Sequence, residues 1–321
     1  MSYEQAQQLL KNAQKILIGS HINPDGDAIG SMLALGEALE KVGKQVVMFS
    51  RDPVPENLKF LSGSEKITSE ISAQFFDVAV LVDVASPERV GEVFAKAAAS
   101  CKSLLLDHHQ IEAPADSICC LDVTAASAGE VVYRLLKFMK LPISKSIAEA
   151  IYCTIVVDTG YFRYSSTNEA VFKLAAELAK FGVDPWYVAK NLEESYSVMR
   201  FKLLGLALNS IELFFEGKFA TMEVTQAMIA SSGAKIEDSE EFANIPRSIA
   251  SVTVSALFRE MPEQKIRVSL RAKDNIDVAK IAGYFDGGGH QVAAGCTIKG
   301  TLAEAKEKIK EQVLKSLEVR I

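Results

Sequence analysis

The segment from His21 to Ser31 carries residue types that can bind metal ions. It reads HINPDGDAIGS and places one imidazole and two carboxylates at positions 21, 25 and 27, between an apolar run and a helical pattern. Pro24 and Gly26 fix a turn that a continuous helix cannot make, which lets Asp25 and Asp27 point toward different positions. The spacing predicts a metal-binding loop and is compatible with two metal ions.

Three later segments place further ligand types at the ends of apolar runs. Asp83 lies near the end of DVAVLVDV, and the triplet DHH at positions 107–109 follows a run of three leucines directly. Asp158 lies in the C-terminal part of the helical pattern SIAEAIYCTIVVDTG. Because binding sites in open α/β sheets collect beyond the carboxyl ends of the strands, we expect these side chains to meet at one edge.

The histidines of the chain are concentrated in these motifs. The sequence contains four, and all four belong to the segments that could bind a ligand: His21, His108, His109 and His290. A single buried histidine is more often a hydrogen-bonded core residue than a ligand, but this explanation does not account for all four. The same edge is predicted to gather five carboxylates: Asp25, Asp27, Asp83, Asp107 and Asp158. Without cations or raised pKa values, these carboxylates would repel one another strongly.

Carboxylates combined with imidazoles favour particular metals. This ligand set suits Mn²⁺ best, with Mg²⁺ or Co²⁺ as alternatives, and the absence of CxxC spacing disfavours a structural zinc site. Two such ions about 3.5 to 4 Å apart can hold a bridging hydroxide and stabilise both the attacking and the leaving oxygen of a phosphoryl displacement. The predicted chemistry is therefore hydrolysis of a phosphate ester with two divalent metal ions.

Alternating strand-like and helical patterns position the predicted ligands. Short apolar runs (KILIGS, QVVMFS, DVAVLVDV, KSLLLD and SICCLDV) alternate with amphipathic helical segments up to about residue 194. This rhythm predicts an α/β domain over residues 1–194, with a doubly wound, mainly parallel sheet. Residues 195–212 read as a helical linker. Residues 213–321 are predicted to form a smaller α/β domain, with strands at KFATMEV, SVTVSALFRE and KIRVSLRAK.

Size and composition exclude several classes of protein. At 321 residues with 49% hydrophobic content, the chain can fold into two domains, and its net charge of −6 argues against binding long double-stranded DNA. The segment MSYEQAQQLLKNAQ has no apolar signal core, and no apolar run reaches the roughly 18 residues of a membrane helix. We expect a soluble cytoplasmic protein that does not bind membranes. The sequence leaves its oligomeric state open, with a homodimer as one alternative.

With these motifs in place, the sequence resembles the DHH phosphoesterases. The N-terminal motifs of that family correspond to HINPDGD, VDVAS, DHH and VVDTG. GGGHQVAAG, together with VSLRAK, is similar to the glycine-rich signature of the DHH-associated C-terminal domain, DHHA1. The resemblance extends over nearly the whole chain. It implies a metal-binding catalytic domain over 1–194 and a substrate-binding domain over 213–321.

The resemblance also implies a role for each N-terminal motif residue. One metal would be bound by His21, Asp25 and Asp83. The other would be bound by Asp27, Asp83, His108 and Asp158, so that Asp83 bridges the two ions. His109 would donate a hydrogen bond to the scissile phosphate, and Asp107 would orient the histidines.

The glycine-rich segment of the second domain is a candidate phosphate site. Backbone amides around Gly287, Gly288 and Gly289 can approach a phosphate because no Cβ intervenes, and Arg271 and His290 can add charge-assisted hydrogen bonds. Arg163, in the first domain, is expected to form an ion pair that holds the loop after Asp158, with substrate contact as the alternative.

Several functions remain open within the family. Members of this length with this second domain resemble the nanoRNases, which degrade short oligoribonucleotides to mononucleotides and convert adenosine 3′,5′-bisphosphate to AMP. A phosphodiesterase for cyclic di-AMP or pApA is the closest alternative. A RecJ-like single-strand exonuclease, a family II pyrophosphatase and a non-catalytic nucleotide-binding regulator are further alternatives, each less consistent with the length or the motifs.

Overall fold

The computed structural model describes residues 3–72, 75–84, 87–111, 117–273 and 276–318. The side chains of Pro87, His290 and Glu318 lie outside this description. The chain divides into two compact units, Met1–Ser195 and Tyr196–Ile321. None of the helices in the described part of the chain has the length and apolar character needed to cross a membrane.

The first unit is an α/β unit built on five strands. These are β1 (Lys15–Gly19), β2 (Gln45–Phe49), β3 (Val78–Val82), β4 (Lys102–Asp107) and β5 (Ser117–Leu121). Its helices are α1 (Tyr3–Asn12), α2 (Gly26–Glu40), α3 (Glu92–Ala98), α4 (Ala128–Phe138), α5 (Lys145–Asp158), α6 (Glu169–Ala179) and α7 (Pro185–Glu193). Short 3₁₀ turns occur at Glu56–Leu58, Ser64–Lys66 and Pro87–Arg89.

The five strands form one parallel sheet in the order β2-β1-β3-β4-β5. Both faces of the sheet are covered, because Ile16 and Ile18 of β1 lie in one apolar core and Leu17 lies in another with Phe94 of α3. Strands that are buried on both faces read as continuous apolar runs, which is why the sequence predicts them well. The expected doubly wound, mainly parallel sheet is confirmed.

Close helix packing brings α2, α4 and α5 together beside the carboxyl ends of the strands. A Cβ on Gly30 of α2 would lie 2.6 Å from the carbonyl oxygen of Ala150 in α5. A Cβ on Gly129 of α4 would overlap the side chain of Thr154 in α5. These glycines therefore permit contacts that no larger residue would allow, and the contacts position the helix residues Asp27 and Asp158.

The second unit contains a six-stranded sheet. Its strands are β6 (Glu212–Phe214), β7 (Phe219–Val224), β8 (Val254–Met261), β9 (Lys265–Ala272), β10 (Gly288–His290) and β11 (Ala293–Lys299). Its helices are α8 (Val198–Leu208), α9 (Gln226–Ser232), α10 (Asn244–Arg247), α11 (Val278–Gly283) and α12 (Leu302–Glu318), with a 3₁₀ segment at Ile236–Ala243. The order is β10-β11-β9-β8-β7-β6, in which only β7 and β8 pair in parallel.

Two features of the second unit go beyond the sequence predictions. Helix α8, which was interpreted as part of a linker, contributes Leu203 and Ala207 to a core with Met222 of β7 and Leu257 of β8. The glycine-rich segment contains a short strand, because β10 pairs with β11. Glycine has little intrinsic preference for strands, so the sequence gives no signal for β10. The limits of 1–194, 195–212 and 213–321 stay predictions.

Candidate metal centre

The loop between β1 and α2 carries the first three predicted ligands, His21, Asp25 and Asp27. Asp25 is the N-cap of α2, and its Oδ1 accepts hydrogen bonds from the amides of Asp27 and Ala28, each at 3.0 Å. An N-cap satisfies amides that have no partner within the helix, and it fixes the path by which the chain enters. The cap therefore leaves the side chain of Asp25 half-exposed and places the fully buried Asp27 in the first turn.

Asp83 follows β3 directly and has a left-handed backbone conformation, with φ of 54°. Its side chain is 5% exposed, and its Oδ1 is buried with no hydrogen-bond partner among the described residues. The Nδ1 of His109 lies 3.4 Å from this oxygen but is closer, at 2.7 Å, to Asp107 Oδ1. Non-glycine residues rarely adopt this conformation, and they do so mostly where the surrounding structure or function requires it. A buried carboxylate oxygen without a donor is costly, and a bound cation would satisfy it.

Asp107, at the end of β4, interacts with His109. Its Oδ1 accepts the backbone amide of His109 at 2.8 Å and lies 2.7 Å from the Nδ1 of the same residue. Burial raises the pKa of Asp107, but hydrogen bonds and charge attraction from His109 outweigh it, so the pKa is below its ordinary value. Asp107 thus stays ionised and fixes the ring of His109.

The predicted ligands form compact groups. His21, Asp25 and Asp83 make one group, and Asp27, His108 and Asp158 make another; in each, the potential ligand atoms lie within 4.8 Å of one another. The Nε2 of His21 is 3.3 Å from Asp83 Oδ2, and the Nε2 of His108 is 3.3 Å from Asp158 Oδ2. A third group of this kind contains Asp83, Asp107, His108 and His109. The structure thus brings all eight predicted N-terminal residues together, although their roles as ligands stay a prediction.

Backbone carbonyls orient the two histidines that face these groups. The Nδ1 of His21 lies 3.0 Å from the Ile22 carbonyl oxygen, and the Nδ1 of His108 lies 3.4 Å from that of Ala125. A carbonyl can only accept, so this contact favours a proton on Nδ1 and a lone pair on Nε2. Each Nε2 then directs its lone pair at carboxylates. That arrangement is repulsive without a cation and is typical of metal-binding histidine.

The carboxylates of the cluster have perturbed pKa values. Burial, followed by repulsion from Asp27 and Asp25, raises the pKa of Asp83 and that of Asp158 well above the ordinary range. Burial also raises the pKa of Asp27, although attraction from His108 opposes this effect. A divalent cation would counteract these pKa shifts. It would replace the solvation that the carboxylates lose on burial, and its positive charge would offset their mutual repulsion. The donor set and its electrostatics therefore fit divalent metal ions.

Asp27 is supported by residues that the sequence did not reveal. Its Oδ2 accepts the Ala128 amide at 2.7 Å, and its Oδ1 accepts the Gly129 amide at 3.0 Å and the Ser31 hydroxyl at 3.2 Å. The two amides belong to the N-terminus of α4, where helices favour negative charge. The sequence SAGE at Ser127, which matches a helix-start pattern, was the available signal, but it does not show which carboxylate the amides bind.

The loop after Asp158 is not held by the expected ion pair. Arg163 donates from Nε to the carbonyl oxygen of Gly160 at 2.7 Å, and its guanidinium carbon lies 5.5 Å from the centre of the Tyr161 ring. Among the described residues, no carboxylate pairs with Arg163 within 4.0 Å. A carbonyl and an aromatic ring therefore replace the predicted carboxylate partner.

The predicted substrate-binding residues of the second unit lie on β9 and around β10. Arg271 donates from Nε to Asn244 Oδ1 at 3.1 Å. The amide of Gly287 donates to the Ala282 carbonyl oxygen at 3.0 Å, so the phosphate contact expected from this amide is not available in the structure. Gly288 and Gly289 belong to β10 and pair with β11, as does the backbone of His290.

Comparison with known proteins agrees with this architecture. The model of the DHH family N-terminal domain matches residues 15–155, and that of the DHHA1 domain matches residues 217–318. The bifunctional oligoribonuclease and PAP phosphatase NrnA of Thermus thermophilus is 32% identical over 94% of this chain and 90% of its own length. NrnA of Bacillus subtilis is 26% identical over 88% of this chain and 89% of its own length.

A solved structure resembles both units. The crystal structure of an exopolyphosphatase-related protein from Bacteroides fragilis aligns with a TM-score of 0.93 and 30% identity. The alignment covers 99% of this chain and 97% of that protein. With its clustered motif residues and this similarity along its length, the chain belongs to the DHH phosphoesterase family and carries the associated DHHA1 domain.

Proposed function

We propose that the protein is a Mn²⁺-dependent phosphoesterase that hydrolyses short oligoribonucleotides to mononucleotides and adenosine 3′,5′-bisphosphate to AMP. The observation that carries the proposal is the arrangement around Asp83, a buried carboxylate with an unsatisfied oxygen between two groups of metal-ligand side chains. The names of the relatives from T. thermophilus and B. subtilis support the same two activities.

In this proposal the eight motif residues have distinct roles. His21, Asp25 and Asp83 would bind one ion, and Asp27, Asp83, His108 and Asp158 would bind the other. Two divalent ions would supply a nucleophile at neutral pH, by lowering the pKa of bound water, and would stabilise the negative charge of the reacting phosphate. Mn²⁺ suits a mixture of carboxylates and imidazoles, while Mg²⁺ and Co²⁺ are the alternatives.

His109 and Asp107 are proposed to act on the substrate phosphate. Asp107 lies 2.7 Å from the Nδ1 of His109, so it fixes the orientation of that ring. His109 would donate a hydrogen bond from Nε2 to a phosphate oxygen, where negative charge increases during the displacement. A carboxylate that orients a histidine in this way affects the rate without binding a metal itself.

The second unit is proposed to bind the substrate through Arg271, Gly288, Gly289 and the His290 position. With a net charge of −6, the chain offers few unopposed cations for a long phosphate backbone. Added nucleotides therefore bring little additional affinity, which favours short substrates over long single strands.

A side-by-side comparison of substrates tests the proposal. We would measure kcat/KM with Mn²⁺ on adenosine 3′,5′-bisphosphate, pApA, cyclic di-AMP, a 5-mer RNA, a 24-mer RNA and pyrophosphate. The expected order places the 5-mer and adenosine 3′,5′-bisphosphate above the 24-mer and pyrophosphate. Faster cleavage of the 24-mer would replace the proposal with a RecJ-like exonuclease. A clear preference for cyclic di-AMP would replace it with a cyclic dinucleotide phosphodiesterase.

A further inference from the structure

One face of β9 in the second unit carries cationic and hydroxyl side chains at alternate positions. Arg267, Ser269 and Arg271 are each half-buried, whereas the residues between them belong to an apolar core on the other face. In the antiparallel pairing with β8, Arg259 lies directly opposite Arg267. Directly opposed residues project from the same face of a sheet, so Arg259 shares this face.

Arg259 is a buried cation with too few hydrogen-bond acceptors. It is 3% exposed, and its Nη2 donates to Ser269 Oγ at 3.2 Å. Its Nε is buried and has no partner within the described residues, and its Nη1 lies 3.8 Å from Oε1 of the half-exposed Glu240. Burial, followed by repulsion from Arg267, lowers the pKa of Arg259 to about 10, so the guanidinium remains charged at neutral pH. A buried charge with so few partners favours an anion nearby.

The contact with Arg259 determines what the hydroxyl of Ser269 can do. Because Oγ accepts from a guanidinium, its proton points elsewhere and can be donated to a ligand. Among the described residues, no acceptor takes that proton. On the neighbouring strand, Gly295 lies opposite Ser269 and Ala293 lies opposite Arg271, so no large side chain of β11 covers the hydroxyl.

The same face of the sheet extends across β9, β11 and β10. Gly288 of β10 pairs with Gly295 of β11, which pairs with Ser269 of β9. A Cβ on Gly288 would have no heavy atom within 4 Å, which leaves open space above that position. Ser269, Gly295 and Gly288 therefore form a row of small residues across the sheet. Arg267 and Arg271 lie on either side of Ser269 along β9, so an anionic group can bind against this row.

We propose that Ser269 and Arg267 form a phosphate subsite next to Arg271, and that Arg259 positions the Ser269 hydroxyl for it. The ligand class, a phosphate group of a short nucleotide chain, rests on the function proposed above. Arg267 and Arg271 are four residues apart on one strand, which corresponds to about 14 Å. The subsite therefore holds a different phosphate from the one at Arg271, and it contributes to the affinity for oligonucleotides of several residues.

Binding of a 5′-phosphorylated, fluorescently labelled 5-mer RNA to the metal-depleted full-length protein tests the subsite without requiring catalysis. Ser269→Ala should weaken binding about 10-fold, the effect expected for one hydrogen bond to a charged group, with an unchanged salt dependence. Arg267→Gln should weaken binding and also reduce the slope of log Kd against log salt by about 1.

The positioning role of Arg259 needs a separate test, because a buried arginine also affects folding. Arg259→Lys keeps the positive charge, but the shorter side chain cannot donate to Ser269 Oγ in the same way. It should therefore weaken RNA binding as much as Ser269→Ala does. The double variant should show no further loss, since both substitutions break the same contact. If Arg259 only supported folding, the losses of RNA affinity from Arg259→Lys and Ser269→Ala would add in the double variant. The loss from Arg259→Lys would then be accompanied by a lower melting temperature.

Two matched controls lie away from the subsite. Ser231→Ala removes an exposed hydroxyl that donates to the Met228 carbonyl oxygen, and Lys308→Gln removes a cation from α12, which packs on the opposite face of the sheet. Both should bind the 5-mer like the unmodified protein. Unchanged binding by Ser269→Ala, or no binding by the unmodified protein, would overturn the subsite. Normal subsite effects without hydrolysis in Mn²⁺ would instead contradict the proposed function alone.

Discussion

We call the eight motif residues of the first unit the metal-ligand cluster, and Arg259, Arg267, Ser269 and Arg271 of the second unit the arginine face. Both regions concentrate like charge, but of opposite sign. In the first, burial, followed by repulsion from Asp27 and Asp25, raises the pKa values of Asp83 and Asp158. In the second, Arg259 has a lowered pKa because it is buried beside Arg267. Each region is therefore incomplete without a partner of the opposite charge, a cation in one and a phosphate in the other.

The two regions also differ in how the chain assembles them. The metal-ligand cluster draws on four segments far apart in sequence, whereas the arginine face comes from two strands that pair with each other. The cluster is expected to control the chemical step, because its residues fix the metal ions. The arginine face is expected to control substrate affinity. This division predicts that substitutions in the two regions change different kinetic constants.

Removal of metal should have the largest effect. Dialysis against EDTA should lower turnover of adenosine 3′,5′-bisphosphate by at least about 10³-fold, because both the nucleophile and the charge stabilisation depend on the ions. Added Mn²⁺ should restore activity, and more fully than Mg²⁺. Binding of the 5-mer to the arginine face should persist in EDTA. Full turnover by a protein shown to contain no metal would contradict the proposed chemistry.

The next largest effect is expected from Asp107→Asn. This substitution keeps the shape of the side chain but removes the negative charge that fixes His109, so kcat should fall about 10- to 100-fold. Metal content should remain normal, since Asp107 is not a proposed ligand. The control is Glu65→Gln, which changes an exposed residue of the same unit and should leave kcat and metal content unchanged. Loss of bound metal in Asp107→Asn would instead assign this residue to the metal centre.

A change on the arginine face should affect affinity alone. Arg271→Ala should raise KM for the 5-mer about 10- to 100-fold, the loss expected for charge-assisted hydrogen bonds, with little change in kcat or metal content. Steady-state kinetics and metal analysis on the same preparation check this expectation. A drop in kcat at constant KM would contradict the assignment of substrate affinity to the arginine face and of the chemical step to the metal-ligand cluster.

The raised pKa of Asp83 predicts a smaller effect on stability. Its ionised form destabilises the metal-free fold at neutral pH, and this cost decreases as pH falls through the raised folded-state pKa toward the unfolded value near 3.9. Metal-free Asp83→Asn should therefore melt a few degrees above the metal-free unmodified protein at pH 8 and show a smaller difference at about pH 5. Equal melting temperatures at both pH values would contradict the electrostatic account.

Much of this organisation could be predicted from the sequence, for identifiable physical reasons. The buried strands β1, β3 and β4 are continuous apolar runs, and Asp83 and Asp107 lie at or just after their carboxyl ends, so one shared edge was a direct expectation. Helix α5 was also recognised with Asp158 near its end. The family resemblance added the distribution of ligands between two ions, which spacing alone could not provide.

Other features depend on contacts between distant segments and left no local signal. The amides of Ala128 and Gly129 bind Asp27 across about a hundred positions of sequence, and no pattern near Asp27 indicates this contact. The pairing of β10 with β11 was missed because glycine carries no strand preference. Arg259 appears in the sequence as an ordinary strand arginine, and only the structure shows that it is buried and donates to Ser269.

The metal stoichiometry of Asp83→Ala tests the central claim most directly. Asp83 is proposed to bridge both ions, so the purified variant, loaded with Mn²⁺ and analysed by plasma mass spectrometry, should bind at most one ion per chain and lose almost all turnover. The unmodified protein and Glu65→Gln should each bind two. Two ions retained by Asp83→Ala together with a normal rate would contradict the dinuclear centre on which this account depends.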